Sequence, residues 1–192
     1  MQVDHAEVVL DFLGRIKKIK TIEIRKFVYE ALAKVSDDFW TAPTSSSGRY
    51  HPPESNVEPT GLLVHIVKAL EIADGLFSYY GVTRQISKDI VNAALLLHDC
   101  YKGGPTEKWD SMDPAHGKYA TQFFKDIELD EYIKAEILEC IDTHMSRWAR
   151  PLKSSMAGYT PTKLQRIVSL SDFIASRKKI SFYPGQTIWK ET

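Results

Sequence analysis

In this chain almost every segment with a clear hydrophobic pattern repeats its apolar residues at three- and four-residue spacing, from Ile22 through to Ile174. That is the period of an α-helix; a half-buried strand would alternate every second residue. The pattern predicts an all-α protein, and 192 residues suit one domain with a single sizeable core. The first such helix runs from Ile22 through Phe27, Val28, Ala31 and Val35 to an end near Phe39-Trp40. Residues 41–59 then break the pattern, with Pro43, Pro52, Pro53 and Pro59 among Ser and Thr. Proline does not sit inside regular helix, so this stretch is a long loop, and one of that length belongs to a site or moves.

Helical periodicity resumes at Thr60, with Leu62, Leu63, Ile66, Ala69, Leu70, Ala73 and Phe77 on one face and Gly81 as the stop. A second helix is expected from an N-cap at Ser87 through Leu95, Leu96 and Leu97 to His98-Asp99, closed by Gly103-Gly104-Pro105. A third should begin at Asp113 or Pro114, and a fourth should run from Asp130 to about Arg147. The last should start with Thr160 as cap and Pro161 in its first turn, with Leu164, Ile167, Val168, Ser171 and Ile174 as its stripe. The tail beyond Arg177, with Pro184-Gly185, reads as irregular.

Composition limits the partners. Lys plus Arg balance Asp plus Glu at 25 each, so the overall field gives no case for wholesale nucleic-acid or membrane binding. The basic runs at residues 15–20 and 177–179 are short enough to be solvated helix ends. Cys100 and Cys140 have no CxxC spacing, which suits a reduced, cytoplasmic setting. The start, with Asp4, His5 and Glu7, is unlike a signal peptide. The longest strongly apolar run, Ala93 to Leu97, falls far short of the roughly 20 residues of a membrane span.

The chemistry lies in the order of polar residues along these apolar helices: His65, then His98-Asp99, then His116, His144 and Asp172. Imidazole suits first-row transition metals, and a carboxylate can bridge two of them, so the set could hold a two-metal hydrolytic site. Side chains projecting inward from several helices are a common way to build one. Each His taken alone is more often a packed core residue than a ligand. Asp172 weighs the other way, because an unpaired carboxylate on an apolar helix face needs a partner.

The ordered set, with Gly61-Leu62-Leu63-Val64-His65, Leu97-His98-Asp99-Cys100-Tyr101-Lys102, His116-Gly117, His144 and Ser171-Asp172, resembles the HD-domain superfamily of metal-dependent phosphohydrolases. The resemblance covers residues 61–177 and implies an HD-type helical bundle as the core at 60–177. N-terminal helices and the proline-rich loop, 1–59, would pack on it, and 178–192 would form the tail. It implies that His65, His98, Asp99 and Asp172 ligate one divalent metal, with Asp99 bridging to a second held by His116 and His144. Mn or Fe is favoured, with Mg, Co, Ni or Zn also admissible. Asp99 and Lys102 would be catalytic, Lys102 anchoring a substrate phosphate as the His-Asp-x-x-Lys spacing of the family suggests.

His51, with Arg49, can fold back over the mouth of the site, and Arg147 with Trp148 offers a guanidinium for phosphate and a ring for stacking. His51 and Arg147 are therefore expected substrate contacts, and Trp109 is a further ring that could stack. The doublet is followed by Cys-Tyr-Lys, unlike the acidic pair of alarmone hydrolases. The single His144 and Tyr183-Pro184-Gly185 differ from the motifs of cyclic-dinucleotide phosphodiesterases. HD exoribonucleases look similar at 61–65 but carry an OB-type domain for which this chain has no strand-rich region.

The expectation is thus a phosphohydrolase that cleaves a phosphoester or phosphoanhydride bond of a small nucleotide through a metal-activated water. An HD nuclease acting on single-stranded ends and a non-catalytic metal- and nucleotide-binding module are the alternatives. Aromatics near Trp40 and in the tail leave room for an oligomer.

Overall fold

A computed structural model describes residues 4–45, 51–56, 59–104, 112–113, 115–145 and 160–177. Regular structure among them is helical: α1 His5–Lys18, α2 Ile22–Leu32, α3 Asp38–Thr41, α4 Gly61–Tyr79, α5 Gln85–Leu97, α6 His116–Phe124, α7 Glu131–Thr143 and α8 Lys163–Ala175. A 3₁₀ turn at Pro53–Ser55 interrupts the proline-rich loop. No described helix is long and apolar enough to cross a membrane.

α5 forms the centre. Ile90, Val91, Ala93, Ala94, Leu95, Leu96 and Leu97 are all buried, so the C-terminal part of the helix is enclosed on most sides by its neighbours. α2, α4, α7 and α8 pack around it. α4 also contacts α1 and α8, and α6 lies on α7. The C-terminal end of α5, where His98-Asp99 follows, therefore opens into the interior of the bundle.

Local signals explain most boundaries. Asp4 caps α1 by accepting from the Ala6 and Glu7 amides, and Arg15, Lys17 and Lys18 complement the dipole at its other end. Asp130 caps α7 by accepting from the Tyr132 and Ile133 amides. Gly81 adopts φ 62° after α4, and the Val82 amide donates back to the Phe77 carbonyl, giving the expected stop.

Four boundaries differ from the sequence reading. The helix expected to run from Ile22 to Trp40 ends at Leu32, and α3 restarts at Asp38. The break turns Phe39 and Trp40 onto Phe12, with ring centroids 5.9 and 5.7 Å away, so Trp40 joins a packed aromatic cluster. α5 begins at Gln85, two residues before Ser87. α6 begins at His116, after Asp113 has accepted from the Ala115 amide. α8 is capped by Thr162, which forms a reciprocal capping box with Gln165, leaving Thr160 and Pro161 outside the helix.

Asp89, fully buried in the N-terminal half of α5, reaches beyond its own helix. Its Oδ2 accepts from the Lys20 and Thr21 backbone amides and the Thr21 hydroxyl, and its Oδ1 accepts from the Gln85 side-chain Nε2. The carboxylate thereby satisfies donors at the start of α2 and fixes that helix to the central one.

Candidate metal centre

Six side chains from five segments converge at the inner end of α5. His65 comes from α4, His98 and Asp99 follow α5, His116 is the first residue of α6, His144 follows α7, and Asp172 lies on α8. They form two groups whose candidate ligand atoms lie within 4.8 Å of one another: His65, His98, Asp99 and Asp172 in one, Asp99, His116 and His144 in the other. The imidazoles and Asp99 are buried, and the Asp172 side chain is 13 % exposed.

Asp99 belongs to both groups through different oxygens. Oδ1 lies 3.0 Å from His116 Nε2 and 3.8 Å from His144 Nε2. Oδ2 lies 3.4 Å from His98 Nε2 and 3.7 Å from His65 Nε2. Asp172 Oδ1 is 3.0 Å from His65 Nε2 and 3.6 Å from His98 Nε2. Lys102 donates from Nζ to Asp99 Oδ2 at 2.5 Å. It does so from the turn after α5, as an i,i+3 pair, since the helix expected to carry it has already ended at Leu97.

Three of the four rings are held in the same way. The Nδ1 of His98 sits 2.7 Å from the Leu95 carbonyl, that of His116 2.6 Å from the Asp113 carbonyl, and that of His144 2.5 Å from the Ile141 carbonyl. His98 and His144 cap the C-terminal ends of α5 and α7 and His116 opens α6, and each ring bonds the carbonyl three residues before it. A carbonyl only accepts, so each Nδ1 carries the proton and each Nε2 presents a lone pair when the ring is neutral. This is the usual support behind a metal-binding imidazole.

The arrangement fits a divalent metal. His116 Nε2 and His144 Nε2 face each other at 2.9 Å with both Nδ1 atoms already committed, so the two lone pairs repel unless a shared cation or proton lies beside them. His98 Nε2 is buried with no hydrogen-bond partner. Electrostatics agree: burial opposes ionisation of Asp99, yet His98, Lys102 and His116 hold its carboxyl well below the usual carboxylate range. Burial is likewise outweighed at Asp172 by His65 and His98. His98 is raised because Asp99 and Asp172 overcome the cost of burying its charge, while burial keeps His144 neutral down to about 3. Two ionised carboxylates within this buried cluster favour positive charge at their centre.

The proline-rich loop reaches this site and is tied down. The Thr44 amide and hydroxyl donate to the Ser55 carbonyl, and the same hydroxyl contacts the Gly61 carbonyl at 2.8 Å. Ser45 N–H donates to Asn56 Oδ1, and Leu62 N–H to the Ala42 carbonyl. Gly61 is required where the loop returns, because a Cβ there would stand 2.6 Å from the Ser55 carbonyl oxygen. His51 is brought edge-to-face against His65, with ring centroids 5.5 Å apart. Arg49, Trp109, Arg147, Trp148 and the tail beyond Arg177 lie outside the described residues.

Sequence reasoning missed Asp113. Its carbonyl holds His116 Nδ1 and its amide donates to the Lys102 carbonyl, joining the two halves of the site. It also missed Gly117, where a Cβ would lie 2.7 Å from the Ile141 carbonyl oxygen and force α6 away from α7. The His-Gly pair at a helix start was the available signal, since glycine there allows close backbone approach.

The HD domain family model matches residues 62–176, more than half of the chain and the whole span from α4 to α8. The chain belongs to the HD domain family, and so to a superfamily of metal-dependent phosphohydrolases whose domains bind divalent metals. No curated protein and no solved structure matches it.

Proposed function

We propose that this protein hydrolyses a phosphoester or phosphoanhydride bond of a small nucleotide in the cytoplasm, with two divalent cations, Mn or Fe favoured. His65, His98, Asp99 and Asp172 would hold one, and Asp99, His116 and His144 the other. The observation that carries this reading is the division of Asp99, with Oδ1 toward His116 and Oδ2 toward His98. Cations bound there supply Lewis acidity toward phosphate oxygens and lower the pKa of water.

The chain's own residues do the rest. Lys102 neutralises Asp99 and offers its ammonium to an incoming phosphate oxygen. His51 stands over the first group, and Arg147, just after the His144 segment, supplies a guanidinium for a second phosphate contact. Around the cluster, α4, α5 and α8 contribute buried apolar residues such as Leu62, Ile66, Leu95 and Val168. A small substrate suits the balanced net charge.

The test is a panel of mononucleotides and oligonucleotides screened for phosphate or nucleoside release with Mn, Fe, Co, Ni, Zn and Mg, with metal content measured on the same sample. Turnover of mononucleotides, abolished in Asp99→Ala, is expected. Turnover confined to oligonucleotides and falling steeply with salt would establish a nuclease instead. No turnover, with nucleotide affinity unaltered in Asp99→Ala, would establish a binding module.

A further inference from the structure

His65 differs from the other imidazoles of the cluster in what stands behind it. His98, His116 and His144 each have a carbonyl for the Nδ1 proton. His65 lies inside α4, where the backbone carbonyls are taken up by the helix itself. Its Nε2 faces Asp172 at 3.0 Å, and its Nδ1 is buried with no hydrogen-bond partner. An imidazole that gives its Nε2 lone pair to a cation carries its proton on Nδ1, and a buried N–H without an acceptor is costly.

His51 is the group positioned to answer that need. It comes from the proline-rich loop, which the Thr44, Ser55 and Gly61 contacts fix against the start of α4. Its ring meets that of His65 edge-to-face at 74° with centroids 5.5 Å apart, adjacent to it but not yet hydrogen-bonded to it. Its own Nδ1 is buried and also without a partner. Two adjacent imidazoles, each with an unsatisfied buried nitrogen, are complementary once one is a donor and the other an acceptor.

We infer that His51 is a positioning residue for His65, accepting a hydrogen bond from its Nδ1–H when Nε2 is committed to a cation, so that the proline-rich loop completes the metal centre. The inference rests on the reading that the six-residue cluster holds metal. It gives His51 a role in cation affinity that a substrate contact alone would lack. Loss of such a supporting hydrogen bond weakens metal binding by about 10- to 100-fold.

The test compares Mn²⁺ affinity, by calorimetric titration of the full chain without nucleotide, in wild type, His51→Phe and His51→Gln. Phe keeps a ring and removes the acceptor; the Gln amide oxygen restores one. Affinity at one of the two sites should fall by about 10- to 100-fold in His51→Phe and recover to within several-fold of wild type in His51→Gln. Thermal melting of the metal-free proteins checks the fold, and His51→Ala replaces Phe if the larger ring disturbs the loop. Wild-type Mn²⁺ affinity in the non-accepting variant, with any change confined to KM for nucleotide, overturns this inference alone. A wild-type protein that takes up no divalent cation overturns the metal reading and this inference with it.

Discussion

The Lys102 ammonium lies 2.5 Å from Oδ2 of Asp99, so the carboxylate shared by both candidate metal groups is already paired with a cation from its own chain. Both side chains are buried, and removing one partner strands the charge of the other. Lys102→Met is expected to lower kcat/KM by about 10- to 150-fold, the worth of one charged hydrogen bond to phosphate, without reducing bound metal. Steady-state kinetics with metal analysis on the same protein checks this. A variant that gained metal and kept kcat/KM would show that Lys102 only balances Asp99.

The two groups should separate under mutation. His144→Ala removes a residue present only in the group with His116, so bound metal should drop from two equivalents to one. Asp99→Ala touches both and should bring it close to none. Metal content after equilibrium dialysis distinguishes these; equal losses in the two variants would mean that a single cation spans the cluster.

Gly117 sets how closely α6 approaches α7. An added methyl would meet the Ile141 carbonyl, whose oxygen also holds His144 Nδ1. Gly117→Ala should cost about 1–3 kcal/mol through overpacking. It should also weaken the group containing His116 and His144 more than the one containing His65. Urea denaturation of the metal-free protein and Mn²⁺ titration measure the two effects.

Asp89→Ala leaves the Lys20 and Thr21 amides without their acceptor and is expected to destabilise the chain by about 2–3 kcal/mol. Asp89 lies at the opposite end of α5 from Asp99, so metal affinity in the folded variant should be unchanged. A denaturation midpoint equal to wild type would remove Asp89 from the account of how α2 is fixed.

Burial sets the acid limb of stability. Burial, reinforced by His116 and His98, pushes His144 down to about 3, and burial with Lys102 and His65 does the same to His51. Their folded values lie below the unfolded one, so the unfolded chain takes up protons first as pH falls. Their contribution is intact above about pH 6.5 and is lost toward pH 3, at about 1.4 kcal/mol per pH unit for His144. His98 has the opposite sign: its raised value stabilises the metal-free fold below about 6.5 and loses that as pH rises. Burial lowers His65 as well, so three groups against one predict a lower urea midpoint for metal-free protein at about pH 5.5 than at pH 7. A midpoint that rose on acidification would contradict this balance.

Much of the helical core was legible because its signals are local. The stripes through Leu62–Phe77 and Ile90–Leu97 return as the buried faces of α4 and α5. The ordered His and Asp residues do meet in space. What could not be read depends on contacts between distant residues. Phe12 packs against Phe39 and Trp40 in a separate short helix, where periodicity alone would carry α2 on to Trp40, and Asp89 reaches from α5 to Thr21 before α2. Thr162 was passed over as a cap in favour of Thr160, because both precede a helical stripe and only Thr162 has Gln165 three residues on.

The residues that converge on Asp99 are drawn from points as far apart as His65 and Asp172, which are 107 positions distant in the chain. A cation gripping them would act as a cross-link between five segments, closing loops that an unfolded chain would otherwise explore freely. Metal supply would then govern how long the protein survives protease as well as whether it is active.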